Sequence, residues 1–173
     1  MTRYVAFLRA INVGGRTVKM DRLRSVVKTA GVDNVSTFIA SGNVIFDADS
    51  NKDLTGRIES VLEEQLGFKV PVFLRTAREV IAVADLRPFA EPEHNLETSF
   101  LPSEPKPSAA KLLVSSAHGT DRLAVNGREV YWSHVGPRSE SDHSETEVLR
   151  ILEMATTQRS AKTVRTIADR FLR

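Results

Sequence analysis

Residues 35–46 read VSTFIASGNVIF and contain two runs rich in β-branched and aromatic residues around Ser41-Gly42-Asn43. Runs of this kind on either side of a glycine-containing turn are typical of a β-hairpin. Apolar residues recur at helical spacing both before the hairpin, over residues 20–30, and after it, over residues 54–66. We therefore predict a hairpin between two amphipathic helices.

A strand is predicted outside each of these helices. Residues 4–8 form a continuous apolar run, as expected of a buried central strand. Residues 70–74 form the other strand, and Pro71 places it at an edge or marks its start. The order strand, helix, hairpin, helix, strand is that of the ferredoxin-like βαββαβ unit.

The second half of the chain repeats this order. Asn126-Gly127, between two β-rich runs, is a strong hairpin signal because both turn positions need positive φ. Outside that hairpin we predict a strand over 98–101, helices after Pro107 and Ser144, a last strand over 156–159 and a C-terminal helix. The halves share this order but little residue-level identity.

We therefore predict an α+β protein made of two tandem ferredoxin-like (βαββαβ) units with a C-terminal helix. Residues 1–75 form the first unit, residues 76–97 a helical connection and residues 98–173 the second unit. Thr76 and Glu79 form a capping-box pattern at the start of the connection. A single mixed sheet is the alternative architecture.

Composition excludes several classes of protein. The 173 residues include no cysteine, so disulfides and thiolate metal sites are excluded. No apolar run approaches the roughly 18 residues of a membrane span, and the N-terminus lacks a signal-peptide layout. We expect a cytoplasmic protein without a membrane partner.

The histidines do not predict a metal site. None of them pairs with another at the i, i+3 or i, i+4 spacing that a helical metal site uses. Residues 142–145 read DHSE, which indicates a helix N-cap at Ser144 with acids beside the helix dipole. No metal and no cofactor are expected. The four histidines are His94, His118, His134 and His143.

Charge is uneven along the chain. The net charge is +2 and the sequence pI about 9.1, but residues 1–28 carry +6 and residues 158–173 carry +4. These two basic ends form one anion-attracting face if they meet in space. Otherwise they are two solvated helix faces.

Two motifs resemble those of a known family. Residues 8–15, LRAINVGG, and residues 41–44, SGNV, are similar to the signatures L-R-G-I-N-V-G-G and S-G-N-V of the bacterial domain-of-unknown-function family 1697. Met20 and Leu23 also match its M-x-x-L. The resemblance covers nearly the whole chain and implies paired ferredoxin-like units, but no established activity.

The chain departs from the family pattern at three places. Alanine stands at position 10, where the family has glycine. Residues 159–164 read RSAKTV where members often carry R-N-W-x-T-V, and residues 136–140 read GPRSE where many have G-x-S-K.

The loop after the first strand is the main candidate site. Backbone N–H groups at Gly14 and Gly15 can hold an anion with the help of the following helix dipole. Arg9 offers a bidentate contact to phosphate or carboxylate, Asn12 orients the ligand and Lys19 adds charge. The alternative is a tight turn that needs only the positive φ of glycine.

Three further residues are candidates for the same site. We expect the hairpin with Ser41 and Asn43 at the end of the sheet opposite the loop after the first strand, and Asn43 is equally suited to close its own turn. Ser41 as a nucleophile needs a base, and no histidine lies nearby in sequence. Arg159 joins the site if the basic ends meet.

Four functions stay open. The leading hypothesis is a binding module for a small phosphate- or carboxylate-bearing ligand. The alternatives are nucleic-acid binding through the basic ends, an enzyme of unknown reaction, and a structural or interaction role. For an enzyme, Asp47, Asp49 and Glu147 are available as acids or bases, but no pattern singles them out, and no pattern indicates the oligomeric state.

Overall fold

A computed structural model describes residues 1–49, 53–90, 95–140 and 143–173. These residues form the strands β1 (Thr2–Leu8), β2 (Asp33–Phe38), β3 (Asn43–Ala48), β4 (Val72–Thr76), β5 (Asn95–Phe100), β6 (Arg122–Asn126), β7 (Glu129–His134) and β8 (Thr157–Ser160). The helices are α1 (Met20–Lys28), α2 (Leu54–Leu66), α3 (Ala77–Asp85), α4 (Pro107–Ser115), α5 (Glu145–Leu152) and α6 (Ala161–Ile167). None of these helices has the length and apolarity required to cross a bilayer.

The strands form two antiparallel sheets of four. Their orders are β2-β3-β1-β4 and β6-β7-β5-β8. In each sheet the first strand of the unit lies between the hairpin on one side and the last strand on the other. This confirms the two ferredoxin-like units, and the single mixed sheet is wrong. The predicted proline position also holds, because Pro71 lies just before β4 begins at Val72.

The first sheet carries its core on the face covered by α1 and α2. Leu23 of α1 and Ile58 of α2 are fully buried in one apolar cluster with Leu8, Val44 and Phe46 of the sheet. Each such side chain contributes about 1.5–3 kcal/mol of burial free energy. The second sheet has its own cluster, built from Leu101, Leu113, Leu123, Val130, Trp132, Val148 and Leu152.

The compact units differ from the predicted boundaries. The first unit comprises residues 1–83 and 166–173, and the second comprises residues 84–165. The C-terminal segment belongs to the first unit because Arg3 Nε donates to the Phe171 carbonyl at 3.0 Å and the Phe171 ring lies 5.9 Å from the ring of Phe38. Strand β5 also begins earlier than predicted, at Asn95, and residues 91–94 lie outside the described residues.

A short residue-level repeat occurs once in each unit, although the halves otherwise share little identity. Residues 75–80 read RTAREV and residues 159–164 read RSAKTV. Arg75 pairs with Val5 of β1, and Arg159 pairs with Thr98 of β5, so both arginines occupy the same strand position. Both are buried.

The hydroxyl after each arginine caps the next helix. Thr76 Oγ1 accepts from Glu79 N at 3.3 Å, and Ser160 Oγ accepts from Thr163 N at 3.2 Å. Glu79 Oε2 accepts in turn from Thr76 N at 2.7 Å, which confirms the predicted capping box. A six-residue repeat is too short to be recognised from the sequence alone. It becomes clear only when the strand pairing shows that the two arginines are equivalent.

Candidate functional site

The two motifs meet at one end of the first sheet. Because β1 and β3 are antiparallel, Phe7 near the end of β1 lies opposite Asn43 at the start of β3. Leu8 N donates to the Gly42 carbonyl at 2.8 Å. The prediction that the hairpin lies at the opposite end was wrong, since antiparallel pairing of β1 with β3 places the β2–β3 turn beside the loop after β1.

Gly42 allows this contact to be close. Its φ is +82°, and a Cβ built there would lie 2.7 Å from Ile11 Cγ2 and 3.0 Å from Leu8 Cβ. Ile11 is itself only 1% exposed. The hairpin therefore packs directly on the base of the loop, and only glycine fits.

Asn12 joins the loop to the hairpin. Its Nδ2 donates to the Ala40 carbonyl at 2.8 Å and to the Val18 carbonyl at 3.2 Å, and its Oδ1 accepts from Val18 N. Both donors are used inside the protein, so Asn12 shapes the loop rather than pointing at a ligand.

Asn43 closes its own turn, which is one of the two roles predicted for it; the other was ligand binding. It is fully buried, and its Nδ2 donates to the Phe38 carbonyl at 2.9 Å and to Ser41 Oγ at 3.2 Å. The Ser41 hydroxyl is thereby part of the turn as well.

The tip of the loop, residues 13–17, is exposed. Gly14 and Gly15 have φ of +61° and +82°, with open space where a Cβ would lie. Arg16 N donates to the Val13 carbonyl at 3.2 Å, but within the described residues neither glycine N–H has a hydrogen-bond partner. We call residues 13–17 the glycine loop.

Basic side chains surround the glycine loop. The Arg16 guanidinium lies 4.3 Å from the centroid of the Phe68 ring, where cation–π attraction holds it. Lys19 is the N-cap residue of α1 and makes no side-chain cap, so its ammonium is exposed next to the positive end of the helix. Arg9 is half-buried, and its backbone N donates to the Pro71 carbonyl at 3.0 Å.

Position 10 has a backbone conformation that suits glycine. Ala10 has φ of +55°, in the left-handed region, where a Cβ costs about 1–2 kcal/mol. Glycine adopts this conformation without that cost. The chain keeps the loop shape with alanine and so accepts local strain.

The second unit provides an internal comparison. Leu101 N donates to the Arg128 carbonyl at 2.9 Å, the counterpart of the bond between Leu8 and Gly42. Lys106, like Lys19, is an N-cap residue without a side-chain cap. Yet residues 101–106 read LPSEPK and contain no glycine, and they connect β5 to α4 with fewer residues than the 9–19 connection. The glycine loop is therefore not needed for the fold.

Arg159 lies in β8 of the second unit and not in a loop. Its Nη1 donates to Thr157 Oγ1 at 2.9 Å and to the Gln158 carbonyl at 2.8 Å. Burial lowers the pKa of Arg159 to about 10, against the opposing effect of Glu145, so it stays cationic at neutral pH. Its contacts are those of a packed strand residue.

Other basic residues of the C-terminal segment also have partners within the first unit. The Arg170 guanidinium lies 5.5 Å from the rings of Phe38 and Phe171, and Arg173 forms an ion pair with Asp169. These contacts hold both side chains against the segment.

Buried aromatic and polar groups pack together in the second unit. The Trp132 ring lies 4.7 Å from His134 and 5.3 Å from His143, and its Nε1 donates to Asp121 Oδ2 at 3.2 Å. Tyr131 is buried too. Neither Tyr131 nor Trp132 therefore offers an exposed ring on which a nucleic-acid base could stack.

The predicted helix cap at Ser144 is confirmed. Ser144 Oγ accepts from Glu147 N at 3.3 Å. His94 and Asp142 lie outside the described residues, and within the described ranges no three histidine or acidic side chains are grouped to hold a metal ion.

His143 makes the second unit sensitive to acid. Burial lowers its pKa, opposed by Glu147, whose Oε2 lies 3.1 Å from Nδ1, and by Asp121. His143 therefore takes up a proton more easily in the unfolded chain than in the folded one. The free energy of unfolding is not reduced by His143 above about pH 6.5, and it declines as pH falls below that value. We expect urea midpoints to decline from pH 7 to pH 5, and to decline less in His143→Phe. An equal decline in both proteins would assign the effect to other groups.

Comparisons with known proteins agree with this fold. A profile of the family described as "Protein of unknown function (DUF1697)" matches residues 1–131. The structure of the conserved bacterial protein SP0830 from Streptococcus pneumoniae superimposes with a TM-score of 0.76, at 23% identity and over 97% of each chain. That degree of identity establishes a common fold only, and a comparison with curated proteins gave no match. The chain therefore belongs to the DUF1697 family of proteins of unknown function.

Proposed function

We propose that the first unit binds a small anionic ligand, carrying a phosphate or a carboxylate, at the glycine loop. The observation that supports this is the pair of exposed N–H groups at Gly14 and Gly15, which have no partner within the described residues. Backbone amides of this kind bind anions with little reorganisation.

The loop is held in shape before any ligand arrives. Asn12 ties the base of the loop to the hairpin, and the buried Ile11 side chain packs against Gly42. Residues 13–17 themselves are exposed. A site that is ordered in advance loses less conformational entropy on binding, which favours even a small ligand.

The local charge suits an anion. Arg16 lies in the loop, Lys19 follows it, and the N-terminal amides of α1 add a partial positive charge. Asp21, the acid in the first turn of α1, pairs with Arg24 and so opposes the field less. The second unit lacks this loop, so this anion site belongs to the first unit alone.

A phosphate titration followed by ¹H–¹⁵N NMR tests the proposal. We expect shifts concentrated at the amides of Gly14 and Gly15. Gly15→Ala strains the loop and should weaken phosphate binding about five- to tenfold, which corresponds to about 1–1.4 kcal/mol. Gly67→Ala is the matched control, since Gly67 has φ of +80° and equally open space but lies at the end of α2.

Two outcomes would reject the proposal: phosphate and acetate that move no loop resonance, or equal weakening by both glycine variants. A single-stranded oligonucleotide forms a separate arm of the experiment. Steep salt dependence with shifts spread over many basic residues would favour nucleic-acid binding instead. The proposal retains the cytoplasmic location predicted from sequence, which cell fractionation tests.

A further inference from the structure

The strand register makes one position of the two units directly comparable. Tyr4 of β1 lies opposite Phe46 and Thr76, and Glu97 of β5 lies opposite Trp132 and Ser160. Thr76 and Ser160 follow the two repeated arginines, so Tyr4 and Glu97 occupy equivalent sites in the two sheets.

The two units differ in the side chain at this position, which is a buried ring in the first unit and a carboxyl beside a cavity in the second. Tyr4 is buried in the apolar core and its ring stacks on Phe46 at 5.9 Å. Glu97 instead borders a cavity of about 360 Å³, within the range of about 300–1,000 Å³ that is typical of small-molecule sites. Ser160, Lys162 and Arg165 also line it.

The Glu97 carboxyl accepts no hydrogen bond from the described residues. It is half-buried, and within the described residues it has no ion pair either. Arg138 and His134 act on it electrostatically, but burial dominates and raises its pKa. A partly desolvated carboxylate is stabilised by an incoming N–H group or cation.

Two cations line the cavity with Glu97. Lys162 and Arg165 are three residues apart on α6 and so lie on one side of the helix. Arg165 Nε donates to the Ala84 carbonyl at 3.4 Å, which limits the movement of its guanidinium. The cavity thus combines one negative and two positive side chains.

We propose that this cavity of the second unit is a second ligand site, separate from the glycine loop, and that it takes a small zwitterion such as a free α-amino acid. The ammonium group of the ligand contacts Glu97, and its carboxylate contacts Lys162 and Arg165. An anion alone leaves Glu97 unpaired, and a cation alone meets two positive side chains, so a ligand carrying both groups fits best.

A panel of free L-amino acids tests this, with acetate and methylammonium as half-ligands. We expect at least one amino acid to shift the resonances of residues 95–97 and 160–165, with Kd of about 1 mM or below, and each half-ligand to bind at least about tenfold more weakly. Glu97→Gln and Lys162→Gln should each weaken binding about tenfold. Gly15→Ala, in the other unit, should leave it unchanged.

The proposal fails if the whole panel leaves these resonances unmoved, or if Glu97→Gln binds an amino acid as tightly as the unaltered protein. A failure here leaves the glycine loop untouched, because phosphate binding is read from Gly14 and Gly15. Equal binding of acetate and the amino acid would reduce the site to an anion site and overturn the zwitterion assignment.

The stability of Glu97→Gln provides a readout that needs no ligand. Because the pKa of Glu97 is raised on folding, the unfolded chain ionises first and stability is lost as pH rises above about 4.5. We expect Glu97→Gln to have a higher Tm than the unaltered protein at pH 7, and the two values to converge near pH 4. A lower Tm for the variant at pH 7 would show that Glu97 already has a stabilising partner.

Discussion

Gly42→Ala is expected to lower the free energy of unfolding by about 3 kcal/mol or more. A left-handed residue with a Cβ costs about 1–2 kcal/mol, and forcing extra volume into a packed site adds about 1–3 kcal/mol. Here the added methyl would lie 2.7 Å from Ile11 Cγ2 and 3.0 Å from Leu8 Cβ, both in the core of the first unit. Urea denaturation measures the loss.

Gly67→Ala separates the two contributions. Its φ of +80° nearly equals that of Gly42, but nothing lies within 4 Å of the added methyl. We expect it to cost about 1–2 kcal/mol, from backbone strain alone. If both variants lose the same stability, the packing of the hairpin on Ile11 is not the reason for glycine at position 42.

Asn12→Ala is expected to cost about 2–3 kcal/mol, at about 1 kcal/mol for each lost hydrogen bond. The change removes the bonds to Val18 N, to the Val18 carbonyl and to the Ala40 carbonyl. It also releases the base of the glycine loop, so hydrogen exchange at the Val18 amide should become markedly faster.

Gln65→Ala is the matched control for this change. The Gln65 side chain is an amide with one exposed bond, from Nε2 to Thr29 Oγ1 at 2.8 Å. Its loss should stay within about 0.5 kcal/mol. If Asn12→Ala is equally mild and the Val18 amide remains protected, the loop is held by Ile11 packing rather than by Asn12.

Local patterns predicted the elements of this fold well. The apolar run at residues 4–8, the hairpin signals at residues 41–43 and 126–127, and the cap at Ser144 all depend on neighbours in sequence. Local patterns did not predict that the motifs at residues 8–15 and 41–44 lie side by side. This relation depends on which strands pair, and the antiparallel contact of Leu8 with Gly42 appears only in the register.

The candidate site was predicted in part, for a similar reason. Gly14, Gly15 and Lys19 were found because a loop between a strand and a helix can be read directly. The structural roles of Asn12 and Asn43 depend on carbonyl groups of residues 18, 38 and 40.

Glu97 was missed because its significance comes from burial. In the sequence it belongs to a charged stretch before a weakly predicted strand. Only pairing with Trp132 and Ser160 places it beside a cavity, at the position that Tyr4 fills in the other unit. A sequence pattern that compares the halves by order of elements alone does not reveal this substitution.

The membership of residues 166–173 in the first unit has a consequence for biosynthesis. These residues leave the ribosome only after every residue of the second unit, so a nascent first unit emerges without the Phe171 carbonyl that Arg3 binds and without the ring that faces Phe38. The second unit is continuous in sequence, so all of its residues are available before the last residues of the first unit emerge. The part translated earliest is thus the one completed last.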